Sequence, residues 1–258
     1  YGKTYCRKAV RRSVPSLRLG KGGGIIELAA HLYATDHVPY LLERIAEQTP
    51  HVHPVSFSFG KQDSFGPSFQ QLEIVPLSSP ALLSYLQGRG INLELAKREC
   101  SEARYTHNGK RYFAIAFPNG SGGFEVRNPY FKGCIGHKDI TLLAHTFNEW
   151  QNGCLVFEGF MDFLAYMTLV KQQDRWFVVE SPCDYMILNS VANLKQALHY
   201  LDRYTHIHCF LDNDQAGRKT VESISNVFEY RVTDESFRYA DYKDVNDYLM
   251  RKKRTASE

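Results

Sequence analysis

Apolar and polar positions alternate in two different ways along this chain. From about residue 153 onward, short apolar runs take turns with helix-length amphipathic segments. The pattern predicts strands over 154–157, 176–179, 185–188, 206–211 and 229–232, and helices over 161–172, 193–203, 215–227 and 244–252. Strands separated by helices of this length imply βαβ units and a largely parallel sheet flanked by helices, an α/β class. Between residues 72 and 146 the pattern is α+β. A strand is expected over 72–75, helices over 80–87 and 92–100, and strands over 111–117 and 124–127 around a Gly-rich turn at 119–123, which predicts a hairpin.

Upstream, residues 22–49 read as a helical pair. Ile25, Ile26, Leu28, Ala29, Leu32 and Tyr33 mark one apolar face, and Val38, Leu41, Leu42, Ile45 and Ala46 the next. Asp36 fits a cap and Pro39 a first helical turn. Residues 51–71, rich in Ser, Phe, Gly, Pro and Gln without a period, read as a linker whose four Phe residues suggest docking.

Composition narrows the class. With 258 residues, 43% of them hydrophobic, the chain can bury a core in one or two domains. A net charge of +3, from 31 Lys and Arg against 28 Asp and Glu, excludes a polycation but permits a local basic stripe. The six cysteines stand singly with no C-x-x-C pair, which favours reduced thiols in a cytoplasmic setting over a disulfide framework or a zinc site. No run reaches the length of a membrane span, no signal peptide is visible, and no membrane partner is expected. The start at Tyr1 rather than Met leads us to expect upstream sequence.

Two acidic clusters carry the candidate chemistry. Glu158, then Asp162, follow the apolar run 154–157; Asp212 and Asp214 follow the run 207–211 and precede Ala216 and Gly217. Ligands of open α/β sheets bind outside the carboxyl ends of the strands. Residues two apart in an extended chain share a face, so Asp212 and Asp214 could reach one ion. Mg²⁺ is held by one or two carboxylates plus substrate phosphates. The bland readings stay open: D-x-D is also turn or cap chemistry, and Asp162 suits a first helical turn. Glu158 is harder to dismiss, because a carboxylate wedged between an apolar strand and Gly159-Phe160 costs energy without a cation. Asp244 reads as a helix N-cap with Asp247 three residues on.

Taken together and in order, Glu158-Gly159-Phe160-Met161-Asp162, Asp212-x-Asp214-x-Ala216-Gly217-Arg218-Lys219 and Lys243-Asp244 resemble the Toprim domain of bacterial DnaG-type primases. Tyr85-Leu86-x-x-Arg89-Gly90-Ile91 is similar to the helix pair that opens the primase catalytic core, and residues 111–118 with 124–129 to its basic subdomain. In detail the chain resembles compact Toprim proteins encoded on mobile elements and plasmids of Bacteroidetes-type bacteria.

The resemblance implies a Rossmann-like Toprim fold over 151–258, a basic α+β subdomain over 72–150, a linker over 51–71 and a zinc-finger-like remnant over 1–50. It further implies that Glu158, Asp212 and Asp214 hold divalent metal, Mg²⁺ or Mn²⁺, with Asp162 and Asp244 as further acidic participants. Arg111, Arg127, Lys132, Lys138 and Lys243 would face nucleotide and nucleic-acid phosphate; each alone also reads as a solvated surface charge. The implied reaction is primer synthesis on single-stranded DNA from nucleoside triphosphates, with a helicase or relaxase as candidate partner.

Two departures accompany it. Asn246 stands where replicative primases usually carry a second aspartate. Gly20 to Leu28 resembles the back half of a primase zinc-binding domain, yet Cys6 with His31 or His37 is too sparse for tetrahedral zinc, so no zinc is expected in this chain. Another Toprim activity (nuclease or topoisomerase-like) and a non-catalytic DNA-binding module are the alternatives.

Overall fold

The computed structural model describes residues 70–107, 109–144, 151–179 and 181–254, with three short strands at 6–7, 13–15 and 22–24. Residues 1–9 and 68–258 form one compact unit and residues 10–67 another. In the smaller unit, β2 (Ser13–Pro15) pairs antiparallel with β3 (Gly22–Gly24). The helix expected from residue 22 therefore does not start there. Three consecutive glycines carry the largest backbone entropy cost in a helix and offer no side chain to pack. The rest of the expected helical pair, the linker up to residue 69 and the zinc-ligand candidates Cys6, His31 and His37 lie outside the residues or side chains described.

The larger unit holds two sheets. The first is a five-stranded antiparallel meander, β4 (Gln70–Pro76), β5 (Ser101–His107), β6 (Lys110–Pro118), β7 (Phe124–Asn128) and β8 (Phe131–Ile135), with neighbours paired in chain order. Between β4 and β5 run α1 (Pro80–Gly88), opened by a proline whose missing N–H costs nothing in a first turn, and α2 (Leu93–Glu99), capped by Asn92. The hairpin expected at 119–123 is present: Asn119 Oδ1 accepts from Ser121 N and Gly123 N and closes the turn between β6 and β7.

The second sheet is built from β1 (Cys6–Arg7), β9 (Thr141–Ala144), β10 (Gly153–Phe157), β11 (Cys183–Ile187), β12 (His206–Phe210) and β13 (Val232–Asp234) in the order β1-β9-β11-β10-β12-β13. β11, β10, β12 and β13 are mutually parallel; β9 and β1 add antiparallel at one edge. The helices are α3 (Phe160–Lys171), α4 (Leu194–Leu201), α5 (Gln215–Phe228) and α6 (Val245–Leu249).

Strand alternation sorts the core. Leu155 and Phe157 face α3 in one cluster, while Cys154 and Val156 face α4 and α5 in the other. The first cluster also takes in Ile115 and Phe117 of the meander sheet and Leu82 and Leu86 of α1, so both sheets share one core. Its centre is aromatic: Phe117 stacks on Phe160 at 5.2 Å, and Phe157 on Phe210 at 5.5 Å. Truncating one of these rings to alanine costs on the order of 3–5 kcal/mol.

Two expected strands differ. Residues 176–177 lie in a turn and 178–179 in irregular chain, with Phe177 buried among Phe210, Tyr239 and Tyr248. That apolar run packs by ring contacts and never joins a sheet. At 229–232, a 3-10 turn over Glu229–Arg231 comes first, because Glu229 adopts φ +48 at the end of α5, and pairing starts only at Val232. The strands β5, β8 and β9 were not foreseen. Among the described residues no helix is long and apolar enough to cross a membrane.

Candidate active site at the carboxyl edge of the parallel sheet

Chain direction places the acidic residues. β10 connects through α3 to β11 on one side, whereas β12 connects through α5 to β13 on the other, so the β10/β12 boundary is a topological switch point. Phe157 is in register with Phe210 on strands about 4.8 Å apart. Glu158 leaves β10 one residue later and Asp212 leaves β12 two residues later. Both line one cleft of about 190 Å³, together with Asp162 from α3, Asp244 at the start of α6, and Lys243.

The Asp-Asn-Asp turn is held from inside. Asn213 donates its backbone N–H to the Lys243 carbonyl at 2.7 Å. Its side-chain amide donates to the carbonyls of Ser236, Tyr239 and Tyr242 at 3.3, 3.0 and 3.1 Å. The middle residue therefore ties the 236–243 loop, and with it Lys243 and Asp244, to the end of β12. On the other side α5 starts against the turn itself: a Cβ on Gly217 would lie 1.9 Å from the Asp212 carbonyl oxygen. Only glycine permits that approach.

The carboxylates have different jobs. Asp214 Oδ1 accepts from Ala216 N at 2.9 Å and Gly217 N at 3.0 Å, capping α5, and Asp214 does not line the cleft. Asp244 caps α6 through Asp247 N at 2.6 Å while also lining the cleft. Asp162 sits in the first turn of α3, as expected, but caps no N–H of that helix; its Oδ1 accepts from Asn246 N at 3.3 Å, on α6. Glu158 Oε2 is sealed from solvent and has no hydrogen-bond partner. Asp212 Oδ2 meets Lys243 Nζ at 3.4 Å.

Crowding of like charges shows in their acidity. Burial, then the Asp212 and Asp214 charges, push the Glu158 carboxyl up to about 7. Burial and the Asp244 charge push Asp212 up to about 6, against the pull of Lys243. Asp162 is held well above the ordinary carboxylate range by burial, Asp244 and Asp212. A divalent cation would relieve all three.

The donor set fits such an ion in a particular way. Glu158 offers an oxygen with no donor, and Asp212 lies beside it. Among the described residues, no three His, Cys, Asp or Glu side chains stand close enough to hold a metal by themselves. These carboxylates thus suit an ion whose sphere is completed by substrate phosphate and water, the usual habit of Mg²⁺. They do not form a ready-made cage of Glu158, Asp212 and Asp214.

The opposite wall comes from the meander sheet. Arg127 on β7 and its cross-strand partner Lys132 on β8 line the cleft, as does Arg89 beyond α1. Arg127 Nε donates to the Tyr85 hydroxyl at 3.0 Å. Arg89 Nε donates to Asn246 Oδ1, and Asn246 Nδ2 donates back to the Arg89 carbonyl at 2.8 Å. Fully buried Asn246 thus joins the two walls as a neutral link. Arg111 does not line the cleft. It shares the β6 face of Ile115, the partner of Arg127, but lies four residues away, roughly 13 Å along the strand. Lys138, exposed beyond β8, is also outside the lining. Arg89, Glu125 and Asn189 line the cleft without having been singled out as site residues. An i, i+2 relation of Glu125 to Arg127 was the available signal for Glu125; nothing local marks Asn189.

Residues 155–249 match the Toprim-like family model, and residues 71–136 match a model described as a domain of unknown function (DUF8464). No curated protein matches the sequence. Solved structures that align with the chain include the primase fragment of the bacteriophage T7 primase-helicase protein, at 22% identity over 76% of this chain and 80% of that one, with a TM-score of 0.48. The Aquifex aeolicus primase (zinc binding and RNA polymerase domains) aligns at 12% identity over 90% and 70% of the respective chains, with a TM-score of 0.44. The larger unit is α/β, and the Toprim-like match falls on its parallel strands and their flanking helices.

Proposed function

We propose that this protein is a primase-type nucleotidyltransferase, making short primers on single-stranded DNA from nucleoside triphosphates in mobile-element or plasmid replication. One observation carries the reading: a sealed, partnerless Glu158 oxygen beside Asp212 at the sheet's switch point, facing a wall of Arg89, Arg127 and Lys132. A cleft acidic on one side and basic on the other suits a substrate that brings both metal-bound phosphates and a polyanionic strand.

Glu158 and Asp212 would hold Mg²⁺ or Mn²⁺, with Asp162, Asp214 and Asp244 supplying negative charge behind them. When bound, the ion neutralises phosphate charge and lowers the cost of 3′-oxygen attack. The chain's own residues do the rest. Lys243, paired with Asp212, is placed to follow a phosphate that enters beside that carboxylate. Arg127 and Lys132 fix the strand through its backbone, which gives register without sequence readout. Asn213 and Gly217 keep the aspartates from drifting, and Asn246 keeps the walls at a set spacing. A helicase or relaxase that supplies single-stranded template belongs to the same proposal.

The test is primer synthesis on single-stranded DNA with labelled ribonucleotides and Mg²⁺ or Mn²⁺, comparing the wild type with Asp212→Asn. Wild type should give short products and the variant none. Metal-dependent plasmid nicking without primers would instead assign the site to nuclease chemistry.

A further inference from the structure

Just past α6 stand four successive cations, Arg251, Lys252, Lys253 and Arg254, none of which lines the cleft. A block of like charges usually stays extended and solvated; this one is fixed. Lys252 N donates to the Asp247 carbonyl at 2.9 Å and Arg251 N to the Tyr248 carbonyl at 3.0 Å, the paired bonds of a Schellman motif that closes α6. Arg254 N then donates to the Asp241 carbonyl at 3.0 Å, and Arg254 Nη2 to the Tyr242 carbonyl at 2.9 Å. The run is thereby folded back onto the loop that carries Lys243.

Arg251 stands in the left-handed region, at φ +57. A helix end of this kind takes glycine or asparagine at that position, because a Cβ there costs energy. The negative end of a helix favours a nearby cation, but any of the next three residues would supply one. The Arg251 guanidinium lies over the Tyr248 ring, 4.5 Å from its centroid, and the residue stays exposed. An arginine at a backbone position suited to glycine, presented to solvent on an aromatic ring, marks a place where positive charge is used.

The turn continues a charge that begins inside the cleft. Burial and the Asp244 charge raise the Asp247 carboxyl, while Lys252, Arg89 and Lys243 pull it down, so these three cations gather round one carboxylate. Arg89 and Lys243 line the cleft, and Lys252 lies outside it. Lys253, its side chain 65% exposed, pairs with Asp241 at 2.8 Å. Over residues 241–254 five Lys and Arg stand against three Asp, so this shoulder is basic as a unit. A cationic band therefore runs from the lip of the cleft over the end of α6.

An anion held by that band has to be long. A triphosphate at Glu158 and Asp212 ends inside the cleft, whereas the backbone of a strand carries phosphates out of it. Resting on the reading that the cleft takes a nucleic-acid strand, we propose that Arg251, Lys252 and Lys253 bind the backbone of single-stranded DNA where it leaves the cleft past α6. Contacts of this kind hold the strand without reading its sequence.

Fluorescence anisotropy of the full chain at low salt, with labelled oligothymidylates of about 16 and about 6 nucleotides, tests this. Arg251→Gly combined with Lys252→Ala should weaken the long oligonucleotide about 10-fold and lower its salt slope by about 1.4, the share of two phosphates on a single strand. The short one, held by the cleft alone, should change by less than about two-fold, and ATP affinity in Mg²⁺ should not change. Arg251→Gly by itself should weaken the long oligonucleotide several-fold yet melt no lower than wild type, since glycine is at home in the left-handed region.

Equal losses at both lengths, weakened ATP binding, unchanged long-strand affinity, or a loss that tracks a lowered melting temperature would each overturn the assignment. The two proposals fail separately. A length-dependent loss in a protein that makes no primers would sink the polymerase reading alone. Primers made by a protein whose long-strand affinity ignores these substitutions would sink only the role of the shoulder.

Discussion

The two walls of the cleft stand on sheets of opposite kinds. The acidic wall sits at the carboxyl ends of parallel strands buried on both faces, where every strand has to hand over to a helix. The basic wall sits on one face of an antiparallel meander, where side chains alternate and only the register decides which reach the cleft. Position along the strand is thus the variable on one wall, and pairing register is the variable on the other. A carboxylate one residue past a strand end is committed to the site by topology. An arginine in a meander strand is committed only if its neighbours bring it to the correct end.

The sharpest break of that comparison is to neutralise one residue on each wall. Asp212→Asn should reduce metal-dependent primer synthesis by at least about 10³-fold, the scale of losing a preorganised charge at the reacting centre. Arg127→Ala should reduce it only about 10-fold, measured as initial rate per enzyme. Equal losses would mean that the walls share one role.

Next in size is the turn that carries Asp212. Gly217→Ala places a Cβ where the Asp212 carbonyl oxygen stands, and should cost about 2–4 kcal/mol in urea unfolding. Glu222→Ala, on the exposed side of the same helix, should stay within about 0.5 kcal/mol. If Gly217→Ala unfolded like wild type, the close approach of α5 to the turn would be wrong.

A third test uses acidity. Glu158 and Asp212 bind protons more tightly folded than unfolded, with folded values of about 7 and about 6. Their contribution to stability is therefore complete below about pH 4 and is lost as pH rises through 6 to 7. Metal-free protein should lose on the order of 2 kcal/mol between pH 5 and 8 from this source. Saturating Mg²⁺ should offset most of the loss, and Glu158→Gln should flatten the profile. Thermal melts in chelator across that range check the sign; stability rising with pH in wild type and falling in Glu158→Gln would contradict it.

The smallest effect separates two arginines on one sheet face. Arg127→Ala should weaken single-stranded DNA binding several-fold and lower the salt slope by about one. Arg111→Ala, about 13 Å along the face, should change affinity by less than about two-fold. Equal effects would place the nucleic-acid track across the whole meander face.

Much of the acidic wall was legible because its logic is local. Apolar runs of strand length, each ending in a carboxylate and followed by a helix, announce a parallel sheet and its ligand-binding edge. Glu158, Asp162, Asp212 and Asp244 all reach the cleft. Asp214 shows the limit of that logic. A shared strand face predicted joint ligation with Asp212, but the chain had left the extended conformation at Asn213, and the nearer demand was the orphan N–H groups of α5. The run 176–179 misled for a related reason: four apolar residues satisfy a strand or a ring-packed turn equally well, and the rings of Phe210, Tyr239 and Tyr248 decided it.

Hydrophobic period and strand-end residues act within a few positions of one another, and they were enough to read the kind of each layer and the carboxylates that gather at one sheet edge. Tertiary structure alone decided which charges meet. Arg127 and Lys132 line the cleft with Glu158 while Arg111 does not; Asn246 bridges to Arg89 across 157 positions; Glu125 Oε1 and Asn189 Oδ1 stay buried without a donor. Such pairings are set by strand register and by the packing of one sheet on another, and no window of neighbouring residues contains that information.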